Sequence, residues 1–281
     1  MDTLTSVNND RVKFLVKLRT SAKERKYSGR YIVEGVRMTK EIPYERLGEL
    51  YMTRDFYMKV AKGNEDLAIL IRRADNDGKA FIVADNVMKR IADTETPQGI
   101  LATVKIYESR LDDILGNDSQ NPLILILETI QDPGNMGTII RSAEGAGVTG
   151  LLVSYDSVDI YSPKVIRSTM GSIFRKKVVV SYDLMRDIKY LKSKGIDIYG
   201  MHLKGVSMYK ADLTGPIALL IGNEGSGLSE DVSNAADKLI KIPMKGELES
   251  LNAASSATII SYEAMRQRDN KVSVDINDIF Y

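Results

Sequence analysis

Cysteine and tryptophan are absent from the 281 residues, histidine occurs once and proline seven times. Without cysteine there is no disulfide, no thiolate nucleophile and no Cys-ligated zinc. His202 is the only histidine, so a His-rich metal site is excluded and a Ser-His-Asp triad would have to use that residue. No window approaches the ~18–20 consecutive apolar residues of a membrane span. The opening Met1-Asp2-Thr3-Leu4-Thr5-Ser6 lacks the basic and apolar regions of a signal peptide, so a cytoplasmic protein without a membrane partner is expected. An excess of one charge is lacking too. Thirty-nine Lys and Arg face 38 Asp and Glu, leaving +1, and any grip on nucleic acid must come from local clustering.

Such a cluster is present. Residues 1–40 hold ten Lys and Arg against four Asp and Glu, a local excess of six. Val12, Leu15, Val16 and Leu18 suggest an amphipathic helix within it, with basic residues on its outer face. A phosphate backbone and bulk water would both suit that face. Lys13, Lys17, Arg19, Lys23, Arg25 and Arg37 are the candidates for such phosphate contacts, with Arg54, Lys59 and Lys62 beside them. Lys164, Arg167, Arg175, Lys176 and Lys177 are candidates for extending the surface.

The length suggests two domains. In the first half, short apolar runs at 50–52, 80–83 and 100–104 are predicted strands, and 55–74 and 85–92 predicted helices, the grammar of a small α/β layer domain. Residues 116–122, rich in turn formers, are the best linker candidate. The second half predicts strands at 123–127, 151–154, 177–180, 196–201, 217–221 and 239–242. Helices are predicted at 136–146, 163–173, 184–194 and 252–268. Near-continuous apolar strands with crossover helices mean a mostly parallel sheet covered on both faces, whose ligands sit outside the carboxyl ends of its strands.

Three loops after those strands carry the chemistry. The first runs from Gln131 through Asp132-Pro133-Gly134-Asn135 to Arg141; Met136, Ile139, Ile140 and Ala143 give it helical spacing. Asn135 stands at the expected N-cap and Gly147 at the expected helix end. The second, Gly222-Asn223-Glu224-Gly225-Ser226-Gly227-Leu228, directly follows a buried strand. Its glycines permit a sharp turn and close backbone approach to a ligand. The spacing is neither the dinucleotide fingerprint nor a P-loop. The third, Pro243 to Asn252, ends in Ser250-Leu251-Asn252 before a helix of small residues. Capping accounts for Asn135, Ser250 and Asn252 as readily as function does.

In this order and at these strand ends, the three loops together resemble the signature motifs of the SpoU (TrmH-type) RNA 2′-O-ribose methyltransferases. Glu34-Gly35 and Thr96-Pro97-Gln98-Gly99-Ile100 are similar to the subgroup with an N-terminal L30e-like RNA-binding domain. One departure is Ala253-Ala254-Ser255-Ser256, where many members have Val-Ser after the Asn.

The resemblance implies an α/β protein: an L30e-like domain over residues 1–106, a linker over 107–121, and a trefoil-knotted, mostly parallel SPOUT-type methyltransferase domain over 122–281. It implies methyl transfer from S-adenosyl-L-methionine, without a metal, to a ribose 2′-hydroxyl of RNA, ribosomal first and transfer RNA second, by a homodimer. Met201, Leu203, Ile221, Gly222, Ile242 and Leu251 are then the cofactor-binding residues. Arg141, Asn135, Glu224, Ser250 and Asn252 surround the ribose. The family's usual account makes the matching arginine a general base. A guanidinium is always protonated near neutral pH, so a role in stabilising the developing alkoxide stands beside it. His202 is expected to be structural or to stand in the pocket wall. A non-catalytic RNA-binding or assembly factor on the same scaffold is the alternative; loss of the arginine, the glycine turn or Ser-Leu-Asn would mark one, and all three are present.

Overall fold

The computed structural model describes residues 1–63, 65–117, 121–247 and 250–269, without the side chains of Ala61 and Lys62. The chain forms two compact units, one of Met1–Tyr107 with Asp159–Phe174, the other of Glu108–Val158 with the residues from Arg175 on.

The first unit opens with β1 (Asp2–Leu4), α1 (Asp10–Thr20), α2 (Ala22–Ser28), β2 (Arg30–Glu34) and α3 (Val36–Lys40). It continues through β3 (Leu47–Thr53), α4 (Arg54–Gly63), α5 (Glu65–Asn76), β4 (Ala80–Val83), α6 (Asp85–Ile91) and β5 (Ile100–Lys105). The sheet runs β1-β4-β3-β5-β2, with β5 antiparallel to both neighbours. Asn9 caps α1 by accepting from the Arg11 amide, and Val12, Leu15 and Leu18 bury the face that packs on Ile32, Tyr51 and Phe81. The helix predicted over 55–74 is two helices, the first ending at Gly63. The strands β1 and β2 have no counterpart in the sequence reading.

The expected basic face is smaller than the sequence suggests. Arg25 is buried: Nη2 lies 2.6 Å from Asp159 Oδ2, Nε donates to the same oxygen at 2.7 Å, and Nη1 donates to the Leu18 and Arg19 carbonyls. It is a structural clamp and not an RNA contact, because every face of its fork is taken. Arg19 is half-buried and donates to the Ala92 carbonyl, and Arg167 pairs with Asp93. Lys13, Lys17, Lys23, Arg37, Arg54 and Lys59 are exposed; the Lys62 side chain lies outside the described residues. Arg25→Ala should therefore destabilise the protein by about 3 kcal/mol, as removal of one partner of a buried pair does. A urea midpoint unchanged from wild type would contradict the clamp.

The second unit contains β6 (Leu123–Leu127), α7 (Pro133–Gly145) and β7 (Gly150–Ser154). After α8 (Pro163–Thr169), which belongs to the first unit, it resumes with β8 (Val178–Ser181), α9 (Leu184–Ser193), β9 (Asp197–Ser207) and β10 (Ile217–Ile221). α10 (Glu230–Asn234), β11 (Lys238–Lys241) and α11 (Ala253–Asp269) complete it. The strands are arranged β11-β9-β10-β6-β7-β8, and all five pairings are parallel. β6, β7 and β10 are buried at every residue, which is why they read as unbroken apolar runs.

Two departures from the sequence reading have local causes. The helix predicted over 163–173 stops at Thr169, where Met170 (φ +50°) and Gly171 (φ +96°) turn the chain left-handed. Part of the stretch expected as a linker is packed: Leu111–Ile114 form a 3₁₀ turn that buries Ile114 against the second unit's core. A Cβ on Gly150 would lie 2.5 Å from the Ile114 Cβ, so that strand has room for the turn only as glycine. Residues 118–120 of the expected linker lie outside the described ones. Arg175 is exposed and pairs with Glu144; the half-buried Lys176 donates to the Val148 carbonyl, which removes it from the expected cationic surface.

Candidate active site

The strand order reverses between β6 and β10: the chain moves outward from β6 through β7 and β8, then returns on the other side to lay down β9, β10 and β11. At such a switch the loops leaving two neighbouring strands diverge and open a crevice at the carboxyl edge. The loops that carry the motifs of the sequence reading meet there.

The loop after β6 enters α7. Asp132, not Asn135, is the N-cap; its Oδ1 accepts from the Asn135 amide at 2.8 Å, with Pro133 opening the helix. Proline at N1 lacks only an N–H that has no helical partner there. The Asn135 side chain is thus released from capping and lies between two others. Its Nδ2 donates to Glu224 Oε1 at 3.0 Å, and its Oδ1 accepts from Asn252 Nδ2 at 3.2 Å. Glu224, from the glycine loop after β10, also accepts from the Gln131 and Asp132 amides at 3.3 and 3.2 Å and from Asn223 Nδ2 at 3.4 Å. Burial would raise the Glu224 carboxyl, but the hydrogen bonds from Asn135 and from the backbone amides outweigh it and hold the group below the usual carboxylate range. It is an anion at neutral pH, placed where the N-terminus of α7 favours one. Asn252 Oδ1 accepts from the Ser255 amide at 2.7 Å, capping α11. One side chain therefore serves as both cap and site bridge.

Beside this bridge lies a cleft of about 260 Å³, walled by residues within β9, by the last residues of β10 and β11 and by the loops that follow those two strands. All six expected cofactor-binding residues line it: Met201, Leu203, Ile221, Gly222, Ile242 and Leu251. Glu224 and Ser250 line it as well. Asn135 and Asn252 stand behind Glu224 as its braces. His202 is in the wall, as expected, with Nδ1 accepting from the Lys204 amide at 3.1 Å. The sequence reading did not single out Ser226, Lys241 or Met244, which also line the cleft; they stand within or beside the quoted motifs without a chemical signature of their own. Leu248 and Glu249 lie outside the described residues.

Arg141 is not brought to this group. It is exposed on α7, does not line the cleft, and has no hydrogen bond or ion pair among the described residues. Six residues of helix place it about 9 Å along the axis from Asn135. Its neighbour Ser142 bonds Thr258 Oγ1 at 2.8 Å, tying α7 to α11.

Neighbouring loops reinforce the crevice. Thr129, at φ +54°, donates its amide to Ser154 Oγ at 2.8 Å and its hydroxyl to Asp156 Oδ2 at 2.7 Å. Hydrogen bonds from Ser154 and Thr129 hold the Asp156 carboxyl below its ordinary value against the opposing effect of burial. Among the described residues no group of three or more His, Asp or Glu is placed to hold a metal ion, and no helix is long and apolar enough to cross a membrane.

Comparison with known proteins agrees with the motif reading. The SpoU rRNA Methylase family matches residues 122–262, and the MRM3-like substrate binding domain matches residues 9–102. A Shewanella oneidensis protein named 23S rRNA (guanosine-2′-O-)-methyltransferase RlmB is 33% identical over 230 residues, covering 80% of this chain and 91% of its own. The Bacillus subtilis 23S rRNA (guanosine(2553)-2′-O)-methyltransferase RlmP is 28% identical over 93% of this chain and 98% of its own. The crystal structure of an AdoMet-bound rRNA methyltransferase from Sinorhizobium meliloti superposes with a TM-score of 0.81 at 27% identity, covering 94% of this chain and 97% of that one. Matched over half its length by the family and along most of its length by such relatives, the chain belongs to the SpoU rRNA Methylase family.

Proposed function

We propose that this protein is an S-adenosylmethionine-dependent RNA 2′-O-ribose methyltransferase acting on ribosomal RNA of the 23S type. The observation that carries the reading is the convergence of three strand-end loops on one crevice, with Glu224 bridged to Asn135 and, through it, to Asn252 at the mouth of the cleft. The relatives that align over 80% and 93% of the chain are named as 23S rRNA guanosine 2′-O-methyltransferases, which favours ribosomal over transfer RNA.

The cleft suits the methyl donor. Apolar side chains of Met201, Leu203, Ile221, Ile242 and Leu251 offer faces for a purine and a thioether chain, and Asn223, Ser226, Lys241 and Ser250 offer polar partners for a ribose and an amino-acid tail. Bound there, S-adenosylmethionine supplies a methyl group on a positively charged sulfur, an excellent leaving group. The protein's part is alignment, which supplies ~7–11 kcal/mol in favourable cases, together with charge stabilisation at the ribose oxygen. Glu224 fixes the glycine loop against the loop before α7, Asn135 and Asn252 hold that junction, and Ser250 contacts the ribose. Arg141, with no protein partner among the described residues, stabilises negative charge on the 2′-oxygen as its proton passes to a phosphate or solvent oxygen. The exposed Lys13, Lys17, Lys23 and Arg37 give the first unit its hold on the RNA backbone, so affinity falls with added salt. Arg19 joins them only if its guanidinium leaves the Ala92 carbonyl.

The finer architecture belongs to the same proposal: a deep trefoil knot in the second unit, an L30e-like first unit, a homodimer packed through helices of the knotted domain, and a cytoplasmic location. Purified protein incubated with ribosomal RNA and methyl-labelled donor is expected to place label in 2′-O-methyl nucleosides after digestion. Label on nucleobases, or none from any ribosomal RNA under conditions where the donor binds, would overturn the assignment.

A further inference from the structure

Thr129 is a β-branched residue at φ +54°, a backbone region in which glycine is at ease and threonine is strained. It does not line the donor cleft, and the mechanism above does not use it. Strain of this kind persists only where surrounding contacts over-determine it, and here they do so from two sides.

On one side stand the last residue of β7 and the loop after it. Ser154 accepts the Thr129 amide and Asp156 accepts its hydroxyl. The next residues are held by the same loop: the Ile130 amide donates to Ser157 Oγ at 3.1 Å, and Gln131 Nε2 donates to the Asp156 carbonyl at 2.7 Å. On the other side stands the glycine loop of the cleft. The Thr129 carbonyl accepts from Asn223 Nδ2 at 2.8 Å, and Asn223 Oδ1 in turn receives the Gly225 and Ser226 amides at 2.9 and 3.1 Å. The preceding residue, Glu128, takes the far end of that loop, accepting from the Ser229 hydroxyl at 2.6 Å and its amide at 2.9 Å. Residues 128 and 129 thus grip the glycine loop at both ends, and the left-handed turn at Thr129 is the point through which the loop after β7 sets that grip.

We propose that Thr129, held left-handed by Asp156 and Ser154, is a positioning residue for methyl-donor binding, fixing the glycine loop in the shape that walls the cleft. The inference rests on the donor-binding reading of that cleft. It separates the backbone conformation from the hydroxyl: glycine at 129 adopts the conformation without support, whereas valine keeps the branching and loses the hydrogen bond that pays for it.

The test is calorimetric titration of the full-length protein with S-adenosylmethionine, together with hydrogen exchange of the Asn223–Leu228 segment. Thr129→Val should weaken donor binding at least about fivefold and speed exchange of the segment, whereas Thr129→Gly should leave both close to wild type. Asp156→Ala should weaken binding in the Thr129 background and have little effect in the Thr129→Gly background. Donor affinity in Thr129→Val equal to wild type, or an Asp156→Ala effect of the same size in both backgrounds, would overturn the proposal. Wild-type protein that binds no donor would instead sink the reading of the cleft, and the exchange rates would still decide whether Thr129 holds the loop.

Discussion

Replacing Arg141 by alanine is expected to lower the rate of methyl transfer by about 100- to 1,000-fold, the range for removing a donor aimed at developing negative charge, with S-adenosylmethionine affinity little changed. The separation follows from where the residue sits. The cleft is walled by residues within β9 and by the ends of β10 and β11 with their following loops, and Arg141 on α7 is not among them. Donor binding therefore has no contact to lose. The guanidinium is exposed and engages no described residue, so nothing in the second unit depends on it for folding, and its thermal midpoint should match wild type. A loss in turnover at saturating donor and RNA, with donor affinity preserved, is the signature of an interaction made in the transition state. Arg141→Lys discriminates further. If a single positive charge near the 2′-oxygen suffices, lysine keeps part of the rate; if the planar fork is required to bridge ribose and phosphate, lysine falls with alanine. Near-normal turnover in Arg141→Ala would remove the residue from the mechanism.

The sequence made the centre of the second unit's sheet legible because β6, β7 and β10 are buried on both faces, and burial on both faces writes itself as runs such as 123–127 and 217–221. The three site loops were legible for a related reason. Two of them follow such runs, β6 and β10, and the third follows the edge strand β11, where only Ile240 is buried; a parallel sheet delivers all three to one edge. What the sequence did not disclose depends on tertiary partners. Arg25 reads as one more cation in a basic stretch, and only the fold brings Asp159 and two carbonyls around it. Asn135 reads as an N-cap, yet Asp132 takes that role three residues earlier and releases Asn135 to bridge Glu224 and Asn252. The return of residues 159–174 to the first unit has no compositional mark, since α8 is an ordinary short helix opened by a proline. Thr129 gives no signal at all, because a left-handed threonine is imposed by its neighbours and runs against its own preference.

Glycine spacing shows the same limit, and it supports the second large effect. By residue type and spacing alone Gly222, Gly225 and Gly227 look equivalent, but Gly222→Ala is expected to lower methyl transfer by about 100-fold or more, as a displacement near 1 Å in a site does, with donor binding lost in parallel. A Cβ at position 222 would lie 2.2 Å from the Gly227 carbonyl carbon and 2.3 Å from the Leu228 amide nitrogen. These are backbone atoms of the same loop, so no side chain can swing aside and the turn itself has to open. That turn is closed by paired hydrogen bonds between Asn223 and Gly227 at 2.9 and 3.0 Å, and opening it pulls Glu224 away from Asn135. Gly225→Ala is the control: its Cβ would meet only Asn223 Oδ1 at 3.6 Å, an ordinary contact, so binding and turnover should stay near wild type. Gly227 occupies open space but has φ +72°, so alanine there should cost less than at 222, by backbone strain without collision. The order of damage, 222 worst, then 227, then 225, is what titration and turnover of the three variants should return. Equal damage at 222 and 225 would mean that the loop tolerates no substitution for some reason other than the collision at its base.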